Sequence, residues 1–235
     1  MDRAFRPSLL LPLPRRVQPE LLDSLPADDP AAQRSRADLR RLHHVMGTFS
    51  ILLRAVDRVM AGSRPRRILE LGAGDGSLLL RLARRRSAQW PDVAVSLLDR
   101  QPVVAAATLN RLVSAGWTPE IIAADVFDWL EGSTGRWDLI VTTLFVHHFE
   151  PAGVERLLAL VAARTAAFVC CEPRRSALPL AGSHLVGLLG AGPVTREDAV
   201  LSVHAGFRGL ELGAAWPDDA AWQLRESASG LFTHC

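Results

Sequence analysis

The residues best suited to chemistry stand in one short run, Glu70-Leu71-Gly72-Ala73-Gly74-Asp75-Gly76, which follows the apolar pair Ile68-Leu69. Three glycines at alternate positions let the backbone turn tightly and approach a ligand closely, and Glu70 places a carboxylate beside that turn. Two further acids close later apolar runs. Asp99, with Arg100 beside it, is placed to accept both hydrogen bonds of a ribose diol, a position that suits more than one nucleotide cofactor. Asp125 follows Ile121-Ile122-Ala123-Ala124, where its side chain would accept an adenine amino proton while the backbone near Val126 meets the ring. His147 and His148 offer another chemistry, because a neutral imidazole takes the proton of a hydroxyl nucleophile, although only one of two neighbours can point inward. Glu172, opening Glu172-Pro173-Arg174-Arg175, is placed to orient a substrate hydroxyl, and Arg174 to bind an acid. Each residue also has a plain structural role open to it: helix cap or surface carboxylate for Asp99 and Asp125, loop shaping for the histidines, an ion pair for Glu172.

Such groups work together only if strand ends are brought side by side. From Arg66 onward, short apolar runs alternate with longer helical segments, as in a parallel sheet covered on both faces. Strands are expected at 68–71, 93–98, 121–124, 139–141 and 167–171, and helices at 75–85, 102–115, 127–130 and 151–164. The fold class is therefore α/β, a Rossmann-like, mostly parallel sheet with helices on both faces, plus an N-terminal helical lid. Beyond Glu172 the pattern predicts helices near 180–189 and 196–205 and extended runs at 210–216 and from 222 to the end. Residues 1–30 carry prolines at 7, 12, 14, 19, 26 and 30 without periodicity and read as an extended arm. From 31 to 60, apolar residues recur at three- and four-residue steps, as in an amphipathic helix or a pair broken at Gly47.

The chain of 235 residues is 49% hydrophobic, enough for one core. Its 27 basic residues, all arginine, nearly balance 25 acids, which disfavours a nucleic-acid partner. Three cysteines are too few and too poorly spaced for a disulfide framework and suit a reducing cytoplasm. The apolar run at 8–14 is short and broken by prolines, so neither a cleaved leader nor stable membrane insertion is expected. His43, His44, His147 and His148 lack an ordered carboxylate cluster, so no metal is expected.

Residues 66 to about 172 resemble the class I S-adenosylmethionine-dependent methyltransferases. The likeness rests on Gly-x-Gly-x-Gly after Glu70, on Asp99 and Asp125 in order, on Trp137-Asp138-Leu139-Ile140-Val141, and on Leu144-Phe145-Val146-His147-His148-Phe149. The last stretch is similar to the ubiquinone and menaquinone methyltransferase branch and to many small-molecule methyltransferases. An NAD fingerprint would need its third glycine one position later, where Ser77 stands. The resemblance implies S-adenosyl-L-methionine as cofactor, with Glu70, Gly72, Ala73 and Gly74 at its methionine part, Asp99 and Arg100 at the ribose, and Asp125 and Val126 at the adenine. The chain near Leu144 would meet the methionine amino group, and His147, His148 and Glu172 are the catalytic candidates. The domain division is an arm and helical lid over 1–61 and a methyltransferase domain over 62–235, with a substrate cover at about 178–206. The expected reaction is methyl transfer to a small aromatic or lipid-like acceptor, O-methylation of a phenol or quinol ahead of C-methylation of a quinone precursor. A nicotinamide-dependent oxidoreductase and a non-catalytic cofactor-binding protein are the competing classes. Thr142-Thr143-Leu144-Phe145, where a base methyltransferase would carry an Asn-Pro-Pro-Tyr-type motif, speaks against a macromolecular acceptor.

Overall fold

The computed structural model describes residues 13–218 and 221–235; the expected arm's first twelve residues, Pro7 and Pro12 among them, lie outside it. Five parallel strands form the frame: β1 (Arg67–Leu71), β2 (Ala94–Asp99), β3 (Thr118–Ala123), β4 (Leu139–Thr143) and β5 (Phe168–Pro173). Their order is β3-β2-β1-β4-β5, extended beyond β5 by the antiparallel two-residue strands β7 (Thr233–His234) and then β6 (Ala228–Ser229). Ile68, Leu139 and Val141 join one buried cluster while their neighbours Leu69 and Ile140 join another, because successive side chains of a strand point to opposite faces. Apolar residues on both faces explain why β1, β4 and β5 read as continuous hydrophobic runs.

The first cluster is roofed by α3 (Thr48–Val59) and α4 (Ser77–Arg86), with Leu112 of α5 (Ala106–Ser114); the second by α6 (Val126–Gly132) and α7 (Pro151–Ala162). Gly47, at φ 67, separates α3 from α2 (Pro30–Val45), as the periodicity predicts. Phe49, Ile51, Leu52 and Val56 of α3 share one core with Ile68, Val95 and Val169, so the boundary expected at residue 61 does not coincide with a break in side-chain contact. The short α1 (Leu21–Ser24) precedes α2, and α8 (Ala177–His184), a 3-10 turn (Val186–Leu189) and α9 (Pro193–Ala205) make up the segment expected as a cover.

Some expectations fail locally. The helix expected from 102 begins at Ala106, because Pro102 stands in the turn that leaves Asp99. The extended run expected at 210–216 is instead the short helix α10 (Glu211–Ala214), where the Glu226 carboxylate accepts the N–H groups of Leu212 at 3.0 Å and Gly213 at 2.6 Å. Alternating Leu210-Glu211-Leu212 resembles a strand, but early helical N–H groups need an acceptor and Glu226 supplies it. Among the described residues no helix is long and apolar enough to cross a membrane.

Candidate cofactor and acceptor site

The strand order reverses around β1, with β2 on one side and β4 on the other, and in open α/β sheets the crevice at that switch point binds ligands. There the chain leaves β1 through Gly72 at φ 67 and Gly74 at φ 52, backbone angles that strain any residue with a Cβ. Gly72 has a second constraint: a Cβ on it would lie 2.5 Å from Cδ2 of Phe145, so that ring lies directly on the loop. Between the glycines, Ala73 is buried and donates its N–H to Leu98 O at 3.0 Å, tying the loop to β2. Asp99 ties it again. Its Oδ2 accepts the N–H of Gly74 at 2.8 Å and its Oδ1 that of Gln101 at 2.9 Å, so the carboxylate lies across the two strand ends in reach of anything cradled by the loop.

Two polar atoms beside the loop are buried without a partner, Oε2 of Glu70 and Nε2 of His43. Burial pushes the Glu70 carboxyl well above the usual carboxylate range, and the charges of Asp75 and Asp99 push it the same way. Burial likewise pulls His43 down to about 4, leaving a neutral imidazole, while Asp75 opposes the shift. Asp75 acts on both groups and is itself paired with Arg40 of α2 at 2.9 Å, so α2 reaches the loop from above. A backbone hydrogen bond from Leu79 opposes the shift of Glu70 but leaves Oε2 without a partner, and a carboxyl so placed fits a cationic group of a ligand, which would restore its ionised form.

The remaining expected contacts are placed as follows. Asp125 is the N-cap of α6, its Oδ1 accepting the N–H groups of Phe127 at 2.8 Å and Asp128 at 3.4 Å; the side chain of Val126 sits in the second core. Arg100 is exposed, and its charge acts on Asp23 of the arm. Leu144 takes a left-handed φ of 54, unusual for a leucine and costing about 1–2 kcal/mol. That turn reverses the chain after β4 and delivers Phe145 over Gly72.

The catalytic candidates meet, but not as free acid and base. Glu172 is fully buried; its Oε1 accepts the N–H groups of Phe145 at 3.1 Å and Val146 at 3.0 Å, and its Oε2 stands 2.7 Å from Nδ1 of His147. On the opposite side of that ring, Nε2 of His147 faces Oε1 of Glu20 at 3.2 Å. Burial alone would lower the imidazole, but hydrogen bonds from Glu172 and Glu20 and their charges outweigh it and lift His147 to about 9. At neutral pH His147 is thus a buried cation held between two carboxylates, and Glu172 has its oxygens occupied by the turn, which corrects the expectation of a proton-accepting His147 and a substrate-orienting Glu172. His148 is partly exposed, with Nδ1 3.2 Å from Asp23 of α1. Of the two arginines after Glu172, Arg175 is the buried one, paired with Glu211 and donating from Nε to Leu13 O at 3.1 Å.

Glu20 and Asp23 escape sequence reasoning. They lie more than a hundred residues from their histidines, and only their position in one turn after Pro19 hints that both face the same way. The arm that carries them is fixed by Arg15, which donates to Ala205 O at 2.8 Å, His147 O at 3.2 Å and Phe149 O at 2.8 Å, and by Asp198, whose carboxylate accepts the N–H groups of Leu21 and Leu22.

Comparison with known proteins agrees with this geometry. Residues 68–166 match the family described as a methyltransferase domain. The tRNA1(Val) (adenine(37)-N6)-methyltransferase of Klebsiella pneumoniae (strain 342) is 32% identical over 99 residues, 41% of this chain and 38% of that protein, so the chain spans well under half of this curated relative. Among solved structures, an O-methyltransferase family protein from Burkholderia thailandensis superposes with a TM-score of 0.60 at 15% identity, over 88% of this chain and 60% of that one. The plantazolicin methyltransferase BamL, in complex with a triazolic desmethylPZN analogue and SAH, gives 0.53 at 15% identity, over 83% of this chain and 68% of that one. At these identities the structural likeness is one of fold. Glycine loop and switch-point crevice thus coincide with the stretch, residues 68–166, that matches the methyltransferase-domain family, and the chain as a whole has a Rossmann-like α/β frame.

Proposed function

We propose that the chain is an S-adenosylmethionine-dependent methyltransferase of a small aromatic or lipid-like acceptor, favouring O-methylation of a phenol or quinol over C-methylation of a quinone precursor. The observation that carries this reading is the buried, unpartnered Oε2 of Glu70 beside a glycine loop at the switch point. The sulfonium of the cofactor makes its methyl group electrophilic, so the protein must chiefly bind, orient and exclude water. In this reading Glu70 takes the methionine ammonium and the Gly72 to Gly74 backbone lies along the methionine part. Asp99 would hold the ribose diol, and Asp125, whose cap bonds both go to Oδ1, would offer its other oxygen to the adenine.

Water exclusion is served by α2 and α9, which are pinned together: buried Asp38 accepts from the Gly192 N–H at 2.7 Å and from Thr195 Oγ1 at 3.1 Å. Arg36 of α2 donates to Oε1 of Gln101, next to the expected ribose carboxylate, at 2.8 Å. Residues 13–45 and the segment from α8 to α9 then act as lid and acceptor cover. The apolar character of α8 and the turn after it, with Leu178, Leu185 and Leu189 exposed, supports an apolar acceptor. With His147 held as a cation, any proton on the acceptor passes to water. The low number of cysteines favours a reducing compartment, the cytoplasm. A second reading, methylation of a nucleic-acid base, is favoured by the curated relative but weakened by Thr142-Thr143-Leu144-Phe145 and by a net charge of only +2.

Asp99→Ala is expected to weaken S-adenosylmethionine binding about 10- to 100-fold, or about 1–3 kcal/mol, the scale of a lost hydrogen-bonding charge. Titration calorimetry reads this directly, and unchanged affinity would remove Asp99 from the ribose.

A further inference from the structure

The arm and the turn after β4 meet in a cluster that methyl transfer does not require. Glu20, His147 and His148 each offer one ligand atom, and these three atoms lie within 4.8 Å of one another. Nδ1 of His147 is engaged by Glu172 at 2.7 Å, which leaves Nε2 as the outward donor, and Nε2 already faces Glu20. A carboxylate behind the far nitrogen is how metal-ligating histidines are usually held, since it fixes both ring orientation and tautomer. His148 has the same support, its Nδ1 lying 3.2 Å from Asp23.

Charge points the same way. Glu20, Asp23 and Glu172 converge on two imidazoles, and Asp198 adds a fourth carboxylate against the arm. Arg15, whose charge interacts with Glu172, and Arg100, whose charge interacts with Asp23, do not pair with Glu20: Arg15 spends its donors on backbone carbonyls, and Arg100 is exposed. Two imidazole nitrogens and one carboxylate oxygen suit zinc and its first-row neighbours, whereas magnesium and calcium prefer oxygen alone. The side chains of His148 and Asp23 are 22% and 41% exposed, so the cluster opens to solvent on one side and leaves room for water or another oxygen ligand.

We propose that Glu20, His147 and His148 form a binding site for a divalent first-row transition ion, zinc foremost, which clips the N-terminal arm to the turn after β4. The site stands apart from the methyl-transfer reading, because its test needs neither cofactor nor acceptor. Without the ion, a proton shared among His147 and its two glutamates takes the place of the metal charge.

The test is titration of tag-free, chelator-treated full-length protein with Zn2+ by calorimetry and with Co2+ by visible absorption. The expected result is saturation at one ion per chain, ligand-field bands for Co2+, and a rise in melting temperature with Zn2+. Glu20→Gln and His148→Ala, each verified as folded by circular dichroism, should both weaken Zn2+ binding at least about tenfold. Absence of saturable binding, or binding that neither substitution weakens, would overturn the proposal.

Discussion

Glu172→Ala is expected to destabilise the protein by about 3–5 kcal/mol, the range for removing one partner of a buried ion pair. Three features make this residue costly to lose. Its oxygens accept three consecutive backbone N–H groups, at Phe145, Val146 and His147. It also holds the fully buried His147, whose charge would remain with only Glu20 opposite. Finally, it fixes the turn that sets Phe145 on Gly72, so the loss should reach cofactor affinity as well. Glu172→Gln keeps an acceptor for the turn and should cost less. Denaturant unfolding of wild type and both variants measures the difference; a loss below about 1 kcal/mol for the alanine variant would show that the network is not a keystone.

The same ion pair gives stability a pH signature in metal-free protein. His147 is raised from 6.5 to about 9, so its contribution is complete below 6.5 and fades as pH climbs towards 9. Burial acts to raise Glu172, but His147 and the turn's N–H groups hold it below its ordinary 4.5, so its contribution is complete above 4.5 and is lost in acid. Stability should therefore be greatest between these limits, and the alkaline decline should weaken in Glu172→Ala, where only Glu20 still faces the imidazole.

Gly72→Ala is the second large effect. At φ 67 an alanine is strained by about 1–2 kcal/mol, and its Cβ would sit 2.5 Å from Cδ2, 2.7 Å from Cγ and 3.0 Å from Cβ of Phe145. These are the root of the ring rather than its tip, so relief requires the backbone after Leu144 to move. We expect a total loss of at least about 2 kcal/mol and at least a tenfold drop in S-adenosylmethionine affinity. Phe145→Ala removes the two nearest atoms and leaves only the Cβ at 3.0 Å, so Gly72→Ala should cost markedly less in that background. Equal costs in both backgrounds, measured as a double-mutant cycle, would mean that backbone strain alone decides the effect.

The sequence is most legible where burial is greatest. β1, β4 and β5 lie inside the sheet, carry apolar residues on both faces, and stand within two residues of their expected bounds. The edge strand β3 starts at Thr118, earlier than expected, because Pro119 and Glu120 have no apolar signal yet pair with Val95 and Ser96 of β2. Gly47 breaks the early helices as its conformational freedom suggests, and Asp125 takes the capping role that its residue type allows. The acids at strand ends are legible because each follows an apolar run directly. What stays hidden is long-range. Nothing local to Glu20 or Glu172 announces that His147 will sit between them, and with those partners unknown an imidazole reads as a base rather than a buried cation. α10 is hidden for the same reason, since Glu226, more than ten residues downstream, receives its first N–H groups.

The most direct measurement of the central claim is calorimetric titration of the purified protein with S-adenosylmethionine, S-adenosylhomocysteine and NADH. Micromolar binding of the first two, weakened in Asp99→Ala, with no binding of NADH, is the predicted result; binding of NADH with none of the other two would contradict the account and make the glycine loop a dinucleotide site.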